Sequence, residues 1–206
     1  MNYCINGVPT KEEAMSMLNE AKDLNPGPWF EHSINVAESA RLIAEEIEEL
    51  DSELAYILGL LHDIGRREGI HGMRHGFDGF KYLKENGYEM AGKICLSHTS
   101  FELDNEVIIV GRWDGTEEEH KFVTEYLSRE KESDYDKLIK LCDYISLPSG
   151  HCLIEKRLVD TTLRGGFNEY TIPRWKSTFE NKEYLENKMR KSIYDVLPNV
   201  KENTFK

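Results

Sequence analysis

The sequence predicts an all-α fold, one helical bundle built as a single domain over residues 1–206. Three observations carry this. Apolar residues recur at helical spacing through much of the chain, as in Val36, Ala40, Ile43 and Ile47. Two segments, Thr10-Lys11-Glu12-Glu13 and Thr116-Glu117-Glu118-Glu119, have the threonine-to-glutamate spacing that caps a helix N-terminus. The stretch from Leu54 to Leu61 is apolar almost all round, which suits a central helix packed on every side. A chain of 206 residues suits one sizeable core, and no internal repeat or low-complexity linker divides it.

Taken in order, the Thr10 box opens a first helix, which Asn25-Pro26-Gly27-Pro28 stops. A second helix is expected from about Trp29 to Leu50, with acidic residues 45, 46, 48 and 49 facing outward. The central helix starts near Asp51-Ser52. Glycines 65, 69, 72 and 76 mark a loop, after which a helix runs from about Gly76 to Glu85. Asn86-Gly87 ends it, and Tyr88 to Ser97 makes another. Residues 99 to 115 read as irregular, the apolar run Val107 to Val110 being too short to establish a strand. The second box opens a helix to about Arg129, and Asp134 to Ser146 is helical up to Leu147-Pro148-Ser149-Gly150. A further helix reaches Arg164, where Gly165-Gly166 stops it, and a last amphipathic helix covers roughly 177 to 196.

Charge narrows the function. With 38 acidic against 26 basic residues the formal net charge is -12, which repels polyanions, so polymeric nucleic acid is not an expected partner. A small phosphate ester remains compatible, because bound cations and a few arginines can dominate the field inside a cleft. Cys4, Cys95, Cys142 and Cys152 form no C-x-x-C pair and read as reduced thiols of a cytoplasmic protein. Met1-Asn2-Tyr3-Cys4 has no basic, apolar leader pattern, and no apolar run approaches the ~20 residues that span a bilayer.

Histidines and aspartates supply the chemical signal. His62-Asp63-Ile64-Gly65 closes the central apolar helix, and Gly65 lets the chain turn away after the pair. His32 lies four residues before Val36 and shares its inward stripe. His98 completes the stripe Ala91, Ile94, Cys95, and Asp143 lies four after Ile139. A lone inward histidine is usually a hydrogen-bonded core residue, and a lone aspartate at a helix end is usually a cap. Several such groups on four or five helices are another matter, since buried charge without a partner is costly and a shared cation satisfies it. Between His71 and His75 in the glycine-rich loop, Gly76 and Gly79 favour His75. His120 and His151 read as surface or capping residues; Lys156, Arg157 and Arg164 could reach a cleft from the later helix, but an ordinary surface role is the preferred reading.

The pattern of His32, the doublet His62-Asp63 within His62-Asp63-Ile64-Gly65, and the distant Asp143 resembles the HD superfamily of metal-dependent phosphohydrolases over roughly residues 29 to 147. His75 and His98 fill positions that mark its dinuclear members, similar to the bacterial branch of symmetrical dinucleoside-tetraphosphate hydrolases. The resemblance implies Asp63 as bridging carboxylate, with His32, His62 and Asp143 on one ion and His75 and His98 on the other. Arg66-Arg67 stands where a lysine is frequent, and residues 101 to 131 and the tail after Pro148 match nothing in that pattern. The expectation is a hydrolase of a small phosphate ester or anhydride of a nucleotide, working through metal-activated water. Asp63 and Arg66 would carry the chemistry, Arg66 by pairing with a phosphate. An imidazole-rich set without cysteine suits iron, manganese, cobalt or nickel, and two divalent ions are expected. A mononuclear nucleotidase needs only His32, His62, Asp63 and Asp143. A non-catalytic binding module would typically have lost a ligand.

Overall fold

The computed structural model describes residues 7–206. The expectations placed on residues 1 to 6, among them the Cys4 thiol and the leader pattern, lie outside the described residues. Ten α-helices and two short antiparallel hairpins are present among the described residues, so the architecture is all-α as expected. None of these helices is long and apolar enough to cross a membrane.

Helix α1 (Lys11–Leu24) starts at the predicted box: the Glu13 amide donates to Thr10 Oγ1 at 3.2 Å and the Thr10 amide to Glu13 Oε2 at 2.8 Å. Ala14, Leu18 and Ala21 form its buried stripe. Helix α2 (Trp29–Ala44) stops six residues short of the expected Leu50. Beyond Ala44 the amides of Glu46, Ile47 and Leu50 donate three residues back, to Ile43, Ala44 and Ile47, so the chain tightens into turns. The tightening frees Asp51 to cap helix α3 (Ser52–Leu61), its carboxylate accepting from the Leu54 amide at 2.8 Å. Helix α3 is the centre of the molecule, with Leu54 through Leu61 all buried. A Cβ at Gly59 would sit 2.8 Å from the Ala37 Cα, so glycine is what allows α2 and α3 to lie this close.

A 3-10 turn over Ile64–Glu68 leads to helix α4 (Arg74–Glu85), which starts before the expected Gly76, and then to α5 (Glu89–Ser97). Residues 99 to 115 are not irregular. Strands β1 (Ser100–Leu103) and β2 (Glu106–Ile109) pair in a hairpin whose turn, Asp104 and Asn105, has φ of 51° and 65°. Those left-handed angles suit the two-residue hairpin turn, and both residue types tolerate them. Helices α6 (Glu117–Arg129) and α7 (Asp134–Asp143) follow, the first opened by the second predicted box. Helix α7 ends at Asp143 rather than Ser146, because Ser146–Leu147 (β3) and Gly150–His151 (β4) form a second small hairpin.

Helix α8 (Ile154–Gly165) closes on Gly166 at φ 84°, as the glycine pair indicated. Helix α9 (Thr171–Met189) begins earlier than the expected 177, since Pro173 lies in its first turn, where a missing N–H costs nothing. It ends at Arg190, and a separate helix α10 (Val200–Thr204) follows. The main core gathers α1, α2, α5, α7 and the C-terminal segment around α3. A satellite core of Phe80, Leu96, Val123 and Leu127 seats α6 and the first hairpin against α4 and α5.

Candidate metal centre

One end of α3 collects chain ends from four other helices. His62 is the C-cap of α3 and Asp63 follows it; His32 stands in the first turn of α2, His75 in the first turn of α4, His98 at the C-cap of α5 and Asp143 at the end of α7. Helix ends can turn side chains inward without interrupting an apolar stripe. The structure brings all six together. His32, His62, Asp63, His75 and His98 are buried, none more than 6% exposed.

Two groups of three ligand atoms arise, each with its atoms within 4.8 Å of one another: His32, His62 and Asp63, and Asp63, His75 and His98. Asp63 belongs to both. Its Oδ1 lies 2.9 Å from His75 Nε2 and 3.4 Å from His98 Nε2, while Oδ2 lies 4.0 Å from His62 Nε2. Asp143 flanks the first group, its Oδ1 2.9 Å from His32 Nε2.

The hydrogen bonds decide which ring nitrogen faces the centre. His62 Nδ1 donates to the Gly59 carbonyl at 2.7 Å and His98 Nδ1 to the Ile94 carbonyl at 3.2 Å. His75 Nδ1 donates likewise to the Gly72 carbonyl. Carbonyls only accept, so each Nδ1 carries the proton and each neutral ring turns an Nε2 lone pair inward. His75 Nε2 and His98 Nε2 then face each other at 3.2 Å, and both face a carboxylate oxygen. Lone pairs at these distances need a proton or a cation between them. Burial pushes His62 down to about 3 and also lowers His75, with the Arg66 charge adding to the effect on His75. Protonated His62 and His75 are therefore disfavoured, and His62 Nε2 and His32 Nδ1 are buried without a hydrogen-bond partner. A divalent cation fits this donor set and resolves the conflict.

The carboxylates are ready in the ionised form. Burial works to raise Asp63, yet the Arg66 guanidinium and His75 outweigh it and hold Asp63 well below the usual carboxylate range. At Asp143 burial is likewise outweighed, by the hydrogen bond from His32 and the Arg157 charge. Neutral imidazoles with ionised carboxylates are the states that metal binding requires.

Arginines surround the centre. Arg66 Nε donates to Asp63 Oδ2 at 2.6 Å, and Arg157 Nη2 lies 3.5 Å from Asp143 Oδ1. With Arg164 they line a cleft of about 330 Å³ that reaches His32 and Asp63 and has Trp29, Ile70 and Pro148 in its wall. Arg157 is not an ordinary surface cation, and Arg164, although exposed, lies along the same cleft, because α8 lays both beside it. Arg67 is elsewhere: it stacks 3.9 Å over the Tyr82 ring and pairs with Glu20 at 3.0 Å, a structural role.

His71 stays apart from the cluster, half-buried with Nδ1 3.7 Å from Asp114 Oδ2. His151 is not a surface residue. It is 3% exposed in β4, where the short second hairpin folds back and burial lowers its pKa despite the Glu38 charge. His120 packs edge-on to Trp113.

Asp114 is a contributor that sequence reasoning missed. Its carboxylate accepts from the Gly72 amide at 2.5 Å and the Arg74 amide at 3.0 Å, fixing the segment whose Gly72 carbonyl orients His75. Outer groups of this kind commonly tune metal affinity. Asp114→Ala is expected to weaken metal binding roughly 10–100-fold with the helical content kept, read by titration of the metal-free protein. An unchanged affinity would mean that His75 is oriented without it.

An all-α scaffold with a buried His/Asp cluster at converging helix ends defines a class of protein able to hold divalent metal. The HD domain family matches residues 29–147, and the chain belongs to that family. It is also similar to an uncharacterized protein of Methanocaldococcus jannaschii, 40% identical over 82 residues, which is 38% of this chain and 46% of that protein. The chain thus spans under half the length of this curated relative. No solved structure matches.

Proposed function

We propose that this chain is a metal-dependent phosphohydrolase acting on a small phosphate ester or anhydride, with a nucleotide as substrate and two divalent ions held across Asp63. The observation that carries the reading is the sharing of Asp63 between both ligand groups, its two oxygens turned to opposite sides. Iron, manganese, cobalt or nickel suits the set, and within the family the dinucleoside-tetraphosphatase branch is the preferred analogue.

Bound ions of this kind supply Lewis acidity and a nucleophilic water at neutral pH. The chain's own residues do the rest. His32, His62 and Asp143 would hold one ion and His75 and His98 the other, with Asp63 common to both groups. Arg66, anchored by Nε on Asp63 Oδ2, keeps its terminal nitrogens for a phosphate in the cleft. Trp29, Ile70 and Pro148 offer apolar wall to the rest of the substrate. The acidic surface fits a small solute rather than a nucleic-acid polymer, and the buried free thiols of Cys95, Cys142 and Cys152 fit a cytoplasmic setting.

His75→Ala and His98→Ala separate two ions from one. Elemental analysis of protein purified without chelator or a nickel resin is expected to give about two equivalents for the wild type and about one for either variant, with phosphohydrolase turnover lost. Variants that keep full metal content and rate would leave the mononuclear reading, which uses only His32, His62, Asp63 and Asp143. No metal even after anaerobic reconstitution would leave a binding module.

A further inference from the structure

The cleft's third arginine has no role in the centre as described. Arg66 is tied to Asp63 and Arg157 to Asp143, so both guanidinium groups stand beside the carboxylates of the cluster. Arg164 has no ion-pair or hydrogen-bond partner among the described residues, although the chain carries 38 acidic residues that could have paired with it. Arg157 and Arg164 are seven residues apart on α8, two turns along one face, which places their Cα atoms about 10 Å apart. Arg157 is held inward at Asp143, and Arg164 lies at the outer end of the same helix. Arg66 and Arg157 both stand at the His/Asp cluster, where a first phosphate would sit. Arg164 is left for a group further out. Helix α8 also lies beyond the segment 29–147 that matches the family, so this cation belongs to the chain's own C-terminal part.

We propose that Arg164 is a specificity-determining residue that binds a second anionic group of the substrate, so that the cleft selects compounds with linked phosphates over simple phosphomonoesters. The inference rests on the reading of this cleft as the substrate site. Three guanidinium groups around one cleft invert the local sign in a protein of net charge -12, and a single phosphate leaves the outer one unused. Arginine suits the task because its planar fork stays charged and pairs with two phosphate oxygens at once.

Methylphosphonate and methylenediphosphonate, which the enzyme cannot cleave at the carbon bridge, serve as one-anion and two-anion probes. Their binding to the metal-loaded protein is measured by calorimetry for the wild type, Arg164→Gln and Arg164→Lys. The wild type is expected to prefer the two-anion probe by at least about tenfold, the value of one good charge-assisted contact. Arg164→Gln should lose most of that preference while binding methylphosphonate within about twofold of wild type, and Arg164→Lys should keep part of it. Since Arg164 is exposed at a helix end, neither variant should perturb the fold, which circular dichroism checks. An undiminished preference in Arg164→Gln, or no preference in the wild type, overturns the proposal. A preference that depends on Arg164 in a protein that hydrolyses no phosphate compound upholds the anion site and removes the hydrolase reading instead.

Discussion

Asp63→Asn is expected to reduce turnover by at least about 10³-fold, roughly 4 kcal/mol of barrier, and to lower metal content while the helical fold persists. The size of the effect follows from how many functions meet in one carboxylate. Asp63 faces His75 and His98 through Oδ1 and Arg66 and His62 through Oδ2, and it alone belongs to both ligand groups. An amide offers one acceptor and one N–H₂ donor in the same shape. Whichever way it turns, it either puts a donor against the Arg66 guanidinium or leaves the histidine side without charge. The fold should survive because its main core is the apolar packing gathered around α3, to which the Asp63 carboxylate contributes no apolar surface. Metal content by elemental analysis and rate on a panel of phosphate esters and anhydrides are the measurements. A variant with full metal content and rate would remove Asp63 from the chemistry and the hydrolase assignment with it.

How far the sequence revealed this centre depends on how local each signal was. His62-Asp63 stood out because a polar pair closes an almost wholly apolar helix, and α3 proved to be the buried centre. His32 and His98 followed from helical stripes, and both stripes face the core. His75 was separable from His71 only by neighbouring glycines. What distinguishes them physically is Asp114, about forty positions away, which fixes the Gly72 segment. No local pattern announces that contact. Helix α2 overran its true end on paper because Glu45, Glu46 and Glu48 are good helix formers, whereas the structure needs Asp51 free as a cap. The first hairpin hid because its strands have four residues each, too few for a period of two to register, although Asp104-Asn105 is a turn pair. Arg157 and Arg164 share a helix face by their spacing, but only the packing of α8 says what that face meets.

Gly65→Ala is expected to be the most damaging single methyl in the molecule, and it would act on fold and metal site together. A Cβ on residue 65 would fall 1.9 Å from the His75 carbonyl oxygen and 2.4 Å from the Gly79 amide nitrogen. Both atoms are backbone, so no side-chain rotation relieves the clash. The 3-10 turn after the His-Asp doublet would have to part from α4, the helix that carries His75 toward Asp63. Overpacking of this severity costs about 3 kcal/mol or more. For a chain of 206 residues that corresponds to a fall in Tm of roughly 6–12 °C. The position supplies its own control in Gly165, where a Cβ meets nothing within 4 Å and φ is not left-handed. Gly165→Ala should therefore stay within about 0.5 kcal/mol of wild type, as surface substitutions usually do. The two variants differ in where the methyl lands, not in what is added. If Gly65→Ala melted like Gly165→Ala and kept its metal, the close approach of the doublet's turn to α4 would be wrong, and so would the geometry that brings His75 to Asp63. If instead it lost metal at temperatures where its helices are intact, the glycine after the doublet would be shown to serve the centre through His75 rather than through global stability.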